Sequence, residues 1–242
     1  KFRDLGSDKS AEIEPVSDQL PTQGIIFQNG MSLEAPKNEP TKGIIFYTDN
    51  QLRLKIAHRV QNQLNKISRA KHIPIVSSSL KKMTFGDKNI HFPHLKRGYA
   101  AMFKQILGAL ENSSSDIIFF AEHDVLYHPS HFDFTPPKKD IFYYNQNWWR
   151  LRSTDGFAVH WDANQVSGLA AYREHLLKFY RKRLAEVEKN GYKSKMGFEP
   201  GGRNSKLTEA WKSEVPNVDI KHGNNLSKNK WSLKDFRDKS TS

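Results

Sequence analysis

The run Asp116-Ile117-Ile118-Phe119-Phe120-Ala121 constrains the fold of this chain more than any other segment. Five apolar residues in a row leave no polar face, so such a segment has to be covered on both sides. It is too short for a buried helix of ordinary length and rich in β-branched and aromatic side chains, which reads as a central strand of a parallel sheet. It ends abruptly in Glu122-His123-Asp124. Open α/β sheets place ligands at the C-terminal ends of their strands. Three ionisable residues at such a point mark a candidate site.

The flanking segments support the same architecture. Gly43 to Thr48 is another apolar run, closed by Asp49-Asn50. Leu52, Ile56, Val60, Leu64 and Ile67 then recur at helical spacing, with Asn50 as the expected N-cap. Ile73 to Val76 is a short strand ended by three serines, completing a βαβ unit with a right-handed crossover. Met83 to Pro93 reads as a polar loop, Tyr99 to Leu110 as a helix and Ile141 to Tyr144 as a strand. A long amphipathic helix is expected over Val166 to Lys189, and a short strand near Val218-Asp219-Ile220. Gly24-Ile25-Ile26-Phe27, followed by an Asn29-Gly30 turn, is a further short strand. The expected fold class is α/β: a single domain with a mostly parallel central sheet flanked by helices. The expected division is an irregular N-terminal extension over 1–40, the domain over 41–232 and a charged tail over 233–242.

A chain of 242 residues supports one large domain, or two small ones at most. Without cysteine, disulfides and thiolate metal sites are excluded, and a cytoplasmic location is expected. No apolar run is long enough to cross a bilayer. The net charge of +12 concentrates anions at the surface: nucleic acid, acidic lipid headgroups or a nucleotide diphosphate. The basic stretch from Lys178 to Lys239, with Arg181-Lys182-Arg183, is the expected seat of that charge.

Extended backbone would send Glu122 and Asp124 to the same side. Two carboxylates so placed repel unless a cation lies between them, and a hard divalent ion, Mn²⁺ or Mg²⁺, suits oxygen ligands shared with substrate phosphates. Arg97, with Lys96 before it, precedes a helix whose free N–H groups suit a phosphate. Trp148 and Trp149 follow three amide-bearing residues, and at least one is expected to stack on a sugar or a base.

The stretch from Arg97-Gly98-Tyr99 through Ser115 to Glu122-His123-Asp124-Val125-Leu126-Tyr127-His128-Pro129 resembles the donor-binding half of GT-A (Rossmann-like) glycosyltransferases, especially the family 2 type. Those enzymes carry an acidic DxD motif after a hydrophobic strand; here Glu stands in its first position. The resemblance spans roughly Lys42 to Trp231. It implies transfer of a sugar from a nucleotide-diphosphate donor, UDP most simply, to an acceptor hydroxyl, with inversion. It places Tyr47, Thr48, Asp49 and Asn50 at the nucleobase and ribose, with His123 and Arg97 also on the donor. It places Glu122 and Asp124 on the metal, joined by His222 from Lys221-His222-Gly223-Asn224-Asn225. Ser167 to Arg173 resembles the segment that closes over the sugar, which makes Gly168 and Arg173 substrate contacts.

An inverting enzyme needs a base for the acceptor hydroxyl. Glu199, between Phe198 and Pro200 in a glycine-rich loop, is the first candidate, and Asp155 beside Gly156 the second. The expected acceptor is a glycan, a lipid-linked sugar or a hydroxymethylated base in DNA. Two other classes stay open: a non-catalytic nucleic-acid-binding α/β domain and a metal-dependent nucleotidyltransferase.

Overall fold

The computed structural model describes residues 39–222 apart from Thr154, Trp161, Arg203 and Ser205. The Gly24–Phe27 strand, the Asn29-Gly30 turn, Gly223 to Asn225 and the charged tail lie outside the described residues.

The strand built on Ile117–Glu122 (β4) lies at the centre of a seven-stranded sheet. Lys42–Thr48 (β1) pairs with it in parallel on one side, followed by Ile75–Ser79 (β2) and Lys88–His91 (β3). On its other side run Leu169–Tyr172 (β9), Phe142–Asn145 (β6) and Thr208–Trp211 (β10). β9 alone is antiparallel to its neighbours in this sheet. The helices are Leu54–Lys71 (α1), Tyr99–Glu111 (α2) and Arg173–Asn190 (α3). This is the mostly parallel α/β architecture that the glycosyltransferase resemblance implies.

The pleat divides the core in two. Ile44 and Phe46 of β1, with Ile117 and Phe119 of β4, pack against Val60, Leu64 and Ile67 of α1. Ile45 and Tyr47, with Ile118 and Phe120, face Phe103 and Ile106 of α2 and Leu176 and Tyr180 of α3. Alternate residues of one strand thus enter opposite cores, so neither strand has room for a charged residue between its first residue and its C-terminal end.

A second sheet of four strands adjoins that end: Val125–Leu126 (β5), Asn217–Lys221 (β11), Trp148–Arg152 (β7) and Ala158–His160 (β8) in spatial order. β11 and β7 are parallel, and the two outer strands are antiparallel to them.

Several expectations need correction. The helix expected from Val166 begins at Arg173. Leu169, Ala170 and Ala171 form β9, because the gap between β4 and β6 takes an extended segment bonded on both sides. Short apolar runs satisfy either period, and here the sheet decides. The three serines after Val76 continue β2 instead of ending it. Ser77 donates to the Phe85 carbonyl at 2.5 Å, and the Asn89 amide donates to Ser77 and Ser79 at 2.9 and 3.1 Å. Asn89 belongs to β3, so the polar loop expected there contains a strand. Asn50 does not cap α1. It turns at φ 59°, and its side-chain Oδ1 accepts the N–H groups of Leu80 and Lys81.

His131 is fully buried, in a 3-10 turn over Pro129–Phe132. Its Nδ1 accepts from the Asn145 and Asn217 amides at 2.9 and 3.1 Å, which joins β6 to β11. Burial pushes its pKa from 6.5 down to about 3. The folded value lies below the unfolded one, so the unfolded chain takes up the extra proton between those two values. Stability is then full above about pH 6.5 and falls by up to about 1.4 kcal/mol per pH unit as the medium is acidified through that window. Urea denaturation at neutral pH and at about pH 5 is expected to show this loss in the native chain and a smaller one in His131→Gln.

Candidate metal and nucleotide site

β4 ends at Glu122, and residues 123 and 124 turn sharply into β5. The turn breaks the alternation expected of an extended segment. It aims His123 and Asp124 together into the space between the two sheets, where His222 arrives at the end of β11. One ligand atom from each of His123, Asp124 and His222 lies within 4.8 Å of the others. His222 Nε2 is 3.4 Å from Asp124 Oδ2, and the His123 and His222 ring centroids are 6.0 Å apart. Asp124 and His222 were expected here on sequence grounds. His123, placed among the donor contacts by the sequence reading, joins them, and Glu122 lies beside the group.

The surroundings orient these side chains. Thr48 Oγ1 lies 2.7 Å from His123 Nδ1 and also accepts the Asn50 N–H. Holding Nδ1 leaves Nε2 as the free ligand nitrogen, a common arrangement for a metal-binding histidine. Burial disfavours charge on Asp124, but the hydrogen bond with His222 and the nearness of His123 and Lys221 outweigh it and hold the carboxyl below its ordinary range. Glu122 behaves oppositely. Burial, reinforced by the Asp124 charge, pushes it up to about 8, although Tyr47 Oη donates to Oε1 and opposes the shift. The Glu122 N–H in turn donates to Tyr127 Oη, which donates to the Ser167 carbonyl.

Two imidazoles and one ionised carboxylate suit a borderline transition ion better than Mg²⁺, which prefers oxygen ligands throughout. Of the two ions expected, Mn²⁺ accepts nitrogen ligands more readily than Mg²⁺ does.

Three further residues were missed. Asp219 is buried on β11. Lys221 Nζ lies 2.7 Å from its Oδ2, and Arg150 Nε of β7 lies 3.6 Å from the same oxygen. The parallel register sets Asp219 opposite Arg150 and so gathers both cations on one face. Lys221 is near enough to stabilise charge on both Glu122 and Asp124. A cation-anion-cation pattern spread over two distant strands leaves no contiguous motif; the alternation of Arg150, Arg152, Asp219 and Lys221 with apolar residues was the available signal.

The remaining candidates are scattered. Tyr47, Thr48, Asp49 and Asn50 line the end of β1 beside the group, with Arg97 paired to Asp49. Glu199 is half-buried and close enough to favour the charged form of Arg150. Trp148 is fully buried against Gly168, where an added Cβ would meet its ring at 2.6 Å, while Trp149 is 40% exposed. Asp155 lies in the β7–β8 turn, bound by Arg152. Arg173 is not brought to the site. Its N–H bonds the Asp116 carbonyl at the opposite end of β4, roughly 20 Å along the strand from Glu122 at ~3.3 Å per residue.

No protein-family model matches the sequence, and no curated protein sequence matches it. Among solved structures, the chain is similar to a glycosyltransferase involved in the glycosylation of the major capsid of PBCV-1, at 8% identity over 74% of this chain and 92% of that one, with a TM-score of 0.49. It is similar to a mutant Drosophila beta1,4galactosyltransferase 7 in complex with manganese, UDP-Gal and xylobiose, at 11% identity over 84% and 75%, with a TM-score of 0.39. It is also similar to the inositol-1-phosphate CTP transferase from T. maritima, at 10% identity over 75% and 89%, with a TM-score of 0.39. These are likenesses of general architecture, and the chemistry is read from the residues themselves.

Replacing Thr48 with Val removes the partner of His123 Nδ1 and is expected to weaken Mn²⁺ binding about 10–100-fold. Asp124→Ala is expected to abolish it. Titration of Mn²⁺ followed by electron paramagnetic resonance measures both, and wild-type affinity in Thr48→Val would remove that residue from the site.

Proposed function

We propose that this chain is a metal-dependent glycosyltransferase that moves a sugar from a nucleotide-diphosphate donor to an acceptor hydroxyl. The observation that carries this reading is the convergence of His123, Asp124 and His222 at the C-terminal end of β4, with Lys221 and Arg150 beside them. A carboxylate and two imidazoles hold a divalent cation, and flanking cations favour a multiply charged anion next to it. A sugar diphosphate has that charge.

A Mn²⁺ held by His123, Asp124 and His222 would act as a Lewis acid toward the diphosphate. The chain supplies the rest. Negative charge grows on the leaving diphosphate as the bond to the anomeric carbon breaks. The Lys221 ammonium and the Arg150 guanidinium meet that charge from positions fixed by Asp219, without reorganisation at the moment of reaction. Tyr47, Thr48, Asp49 and Asn50 are assigned to the nucleoside, at the mouth formed by the end of β1. Glu199, within electrostatic reach of Arg150, is assigned as the base that takes the acceptor proton in an inverting displacement. Trp149 offers an exposed ring for the acceptor sugar. The transferase domain is assigned to residues 41–232.

The assay is donor hydrolysis and transfer across a panel of UDP- and other nucleotide-sugars with Mn²⁺. Free nucleoside diphosphate is the expected product, and Asp124→Ala is expected to slow turnover on the order of 10²–10³-fold. Full turnover in a chelator would remove the metal from the mechanism. Release of pyrophosphate from a nucleoside triphosphate would make the chain a nucleotidyltransferase. Asp219→Asn is expected to lower affinity for the nucleoside diphosphate about tenfold or more while leaving the nucleoside alone nearly unaffected, because it frees the two cations that meet the phosphates. Equal losses for both ligands in calorimetry would deny Asp219 that role.

A further inference from the structure

The positive charge of this chain is unevenly matched over its surface. On α3 three of the six lysines and arginines have acidic partners: Arg173 with Glu174, Arg183 with Glu186, and Arg181 with Glu111 of α2. Lys104 of α2 meets Glu188 of α3. The basic stretch expected to carry the charge is, in this part, partly offset by the acids of α3 and α2.

Helix α1 differs. Its 18 residues contain five lysines or arginines and no acid. Lys71 pairs with Asp133. The other four, Lys55, Arg59, Lys66 and Arg69, recur with Asn62 at alternating intervals of four and three, which sets them on one face. All are exposed, and none of the four cations has an ion-pair partner among the described residues. The stripe runs about 21 Å along the helix at 1.5 Å per residue.

Helix stability does not account for this arrangement. Lys55 sits in the first turn, at the positive end of the helix dipole. Lys55 and Arg59, and again Lys66 and Arg69, are like charges at repelling spacings. Arg69, in the last turn, gains from the dipole, but Lys55 and the like-charge pairs act against the helix.

At the end nearest the site the stripe widens. Arg53 precedes α1, and Asn50 draws in the loop bearing exposed Lys81 and Lys82. Among these cations Leu54 is 73% exposed. A nucleic-acid backbone offers such a side chain nothing apolar. A lipid surface offers phosphates on the outside and acyl chains just beneath.

We infer that the exposed face of α1 docks on an anionic lipid surface, with Lys55, Arg59, Lys66 and Arg69 against the headgroup phosphates and Leu54 entering between them. The inference goes beyond the transferase reading and is independent of donor chemistry. Because α1 begins beside Thr48, Asp49 and Asn50, docking brings the rim of the site to the headgroup layer, which suits an acceptor carried on a lipid.

The test is co-sedimentation of the whole chain with phosphatidylcholine vesicles, with and without about one third phosphatidylserine. Binding is expected only to the anionic vesicles and is expected to fall with salt. Lys66→Gln with Arg69→Gln is expected to weaken it about 25-fold, from roughly fivefold per charge. The charge-conserving pair Lys66→Arg with Arg69→Lys is expected to retain it. Leu54→Ser is expected to lower vesicle binding, and Lys178→Gln with Lys182→Gln on α3 to leave it unchanged. All these positions are exposed, so melting temperatures should match the native chain. Failure to bind anionic vesicles at low salt, undiminished binding in the glutamine pair, or an equal loss in the α3 pair overturns the inference. Salt-sensitive binding to duplex DNA without vesicle binding assigns the stripe to nucleic acid instead. None of these readouts involves Mn²⁺ or a nucleotide, so they fail or succeed separately from the transferase assay.

Discussion

Covering β4 on both faces is the constraint from which the site follows. Ile117 and Phe119 are buried on the α1 side and Ile118 and Phe120 on the α2–α3 side, all at 0% exposure. A strand packed in this way can carry polar groups only where it leaves the sheet. Neighbouring β1 obeys the same rule and ends in register with it, Tyr47 opposite Glu122. The bond from Thr48 to His123 and the bond from Tyr47 to Glu122 are therefore products of the same pairing that builds the core. A shift of one residue would turn every side chain of the strand to the wrong core and take the site apart with it.

The second sheet completes what the first begins. β11 brings Asp219, Lys221 and His222 against the end of β4, and β7 brings Arg150. Its position is fixed by buried amides as well as by the apolar packing of Val125 and Trp148. Asn217 accepts the His128 N–H and donates to His131, while Asn145 of β6 bonds the same imidazole. Such a network specifies a single arrangement because each member left unpaired would cost desolvation. Two neighbouring carboxylates of the site have diverged in consequence. Asp124, with imidazoles and an ammonium around it, stays ionised, whereas Glu122, desolvated and beside the Asp124 charge, is held toward its neutral form.

Much of the frame was legible in the chain. Continuous apolar runs gave β1 and β4, helical spacing gave α1 and α2, and the polar tip of β4 marked the site. What failed has identifiable causes. Leu169 to Ala171 fits either period, and only the bonding needs of β4 and β6 make it a strand. Asn50 has the composition of a cap, but it braces the Leu80–Lys81 loop. Arg173 lies close in sequence to Gly168, yet β9 runs antiparallel to β4 and carries it to the far end of the sheet.

By itself, the sequence determined which segments must be covered and where charge must emerge, because burial preference and periodicity are local properties of the chain. Tertiary structure alone decided which charged groups meet. His123 joins Asp124 and His222 because a two-residue turn, invisible to a rule of alternation, redirects the end of the strand. Asp219 holds Lys221 and Arg150 because two strands far apart in sequence lie side by side in parallel register, and a partnership across that distance is written in no single stretch of residues.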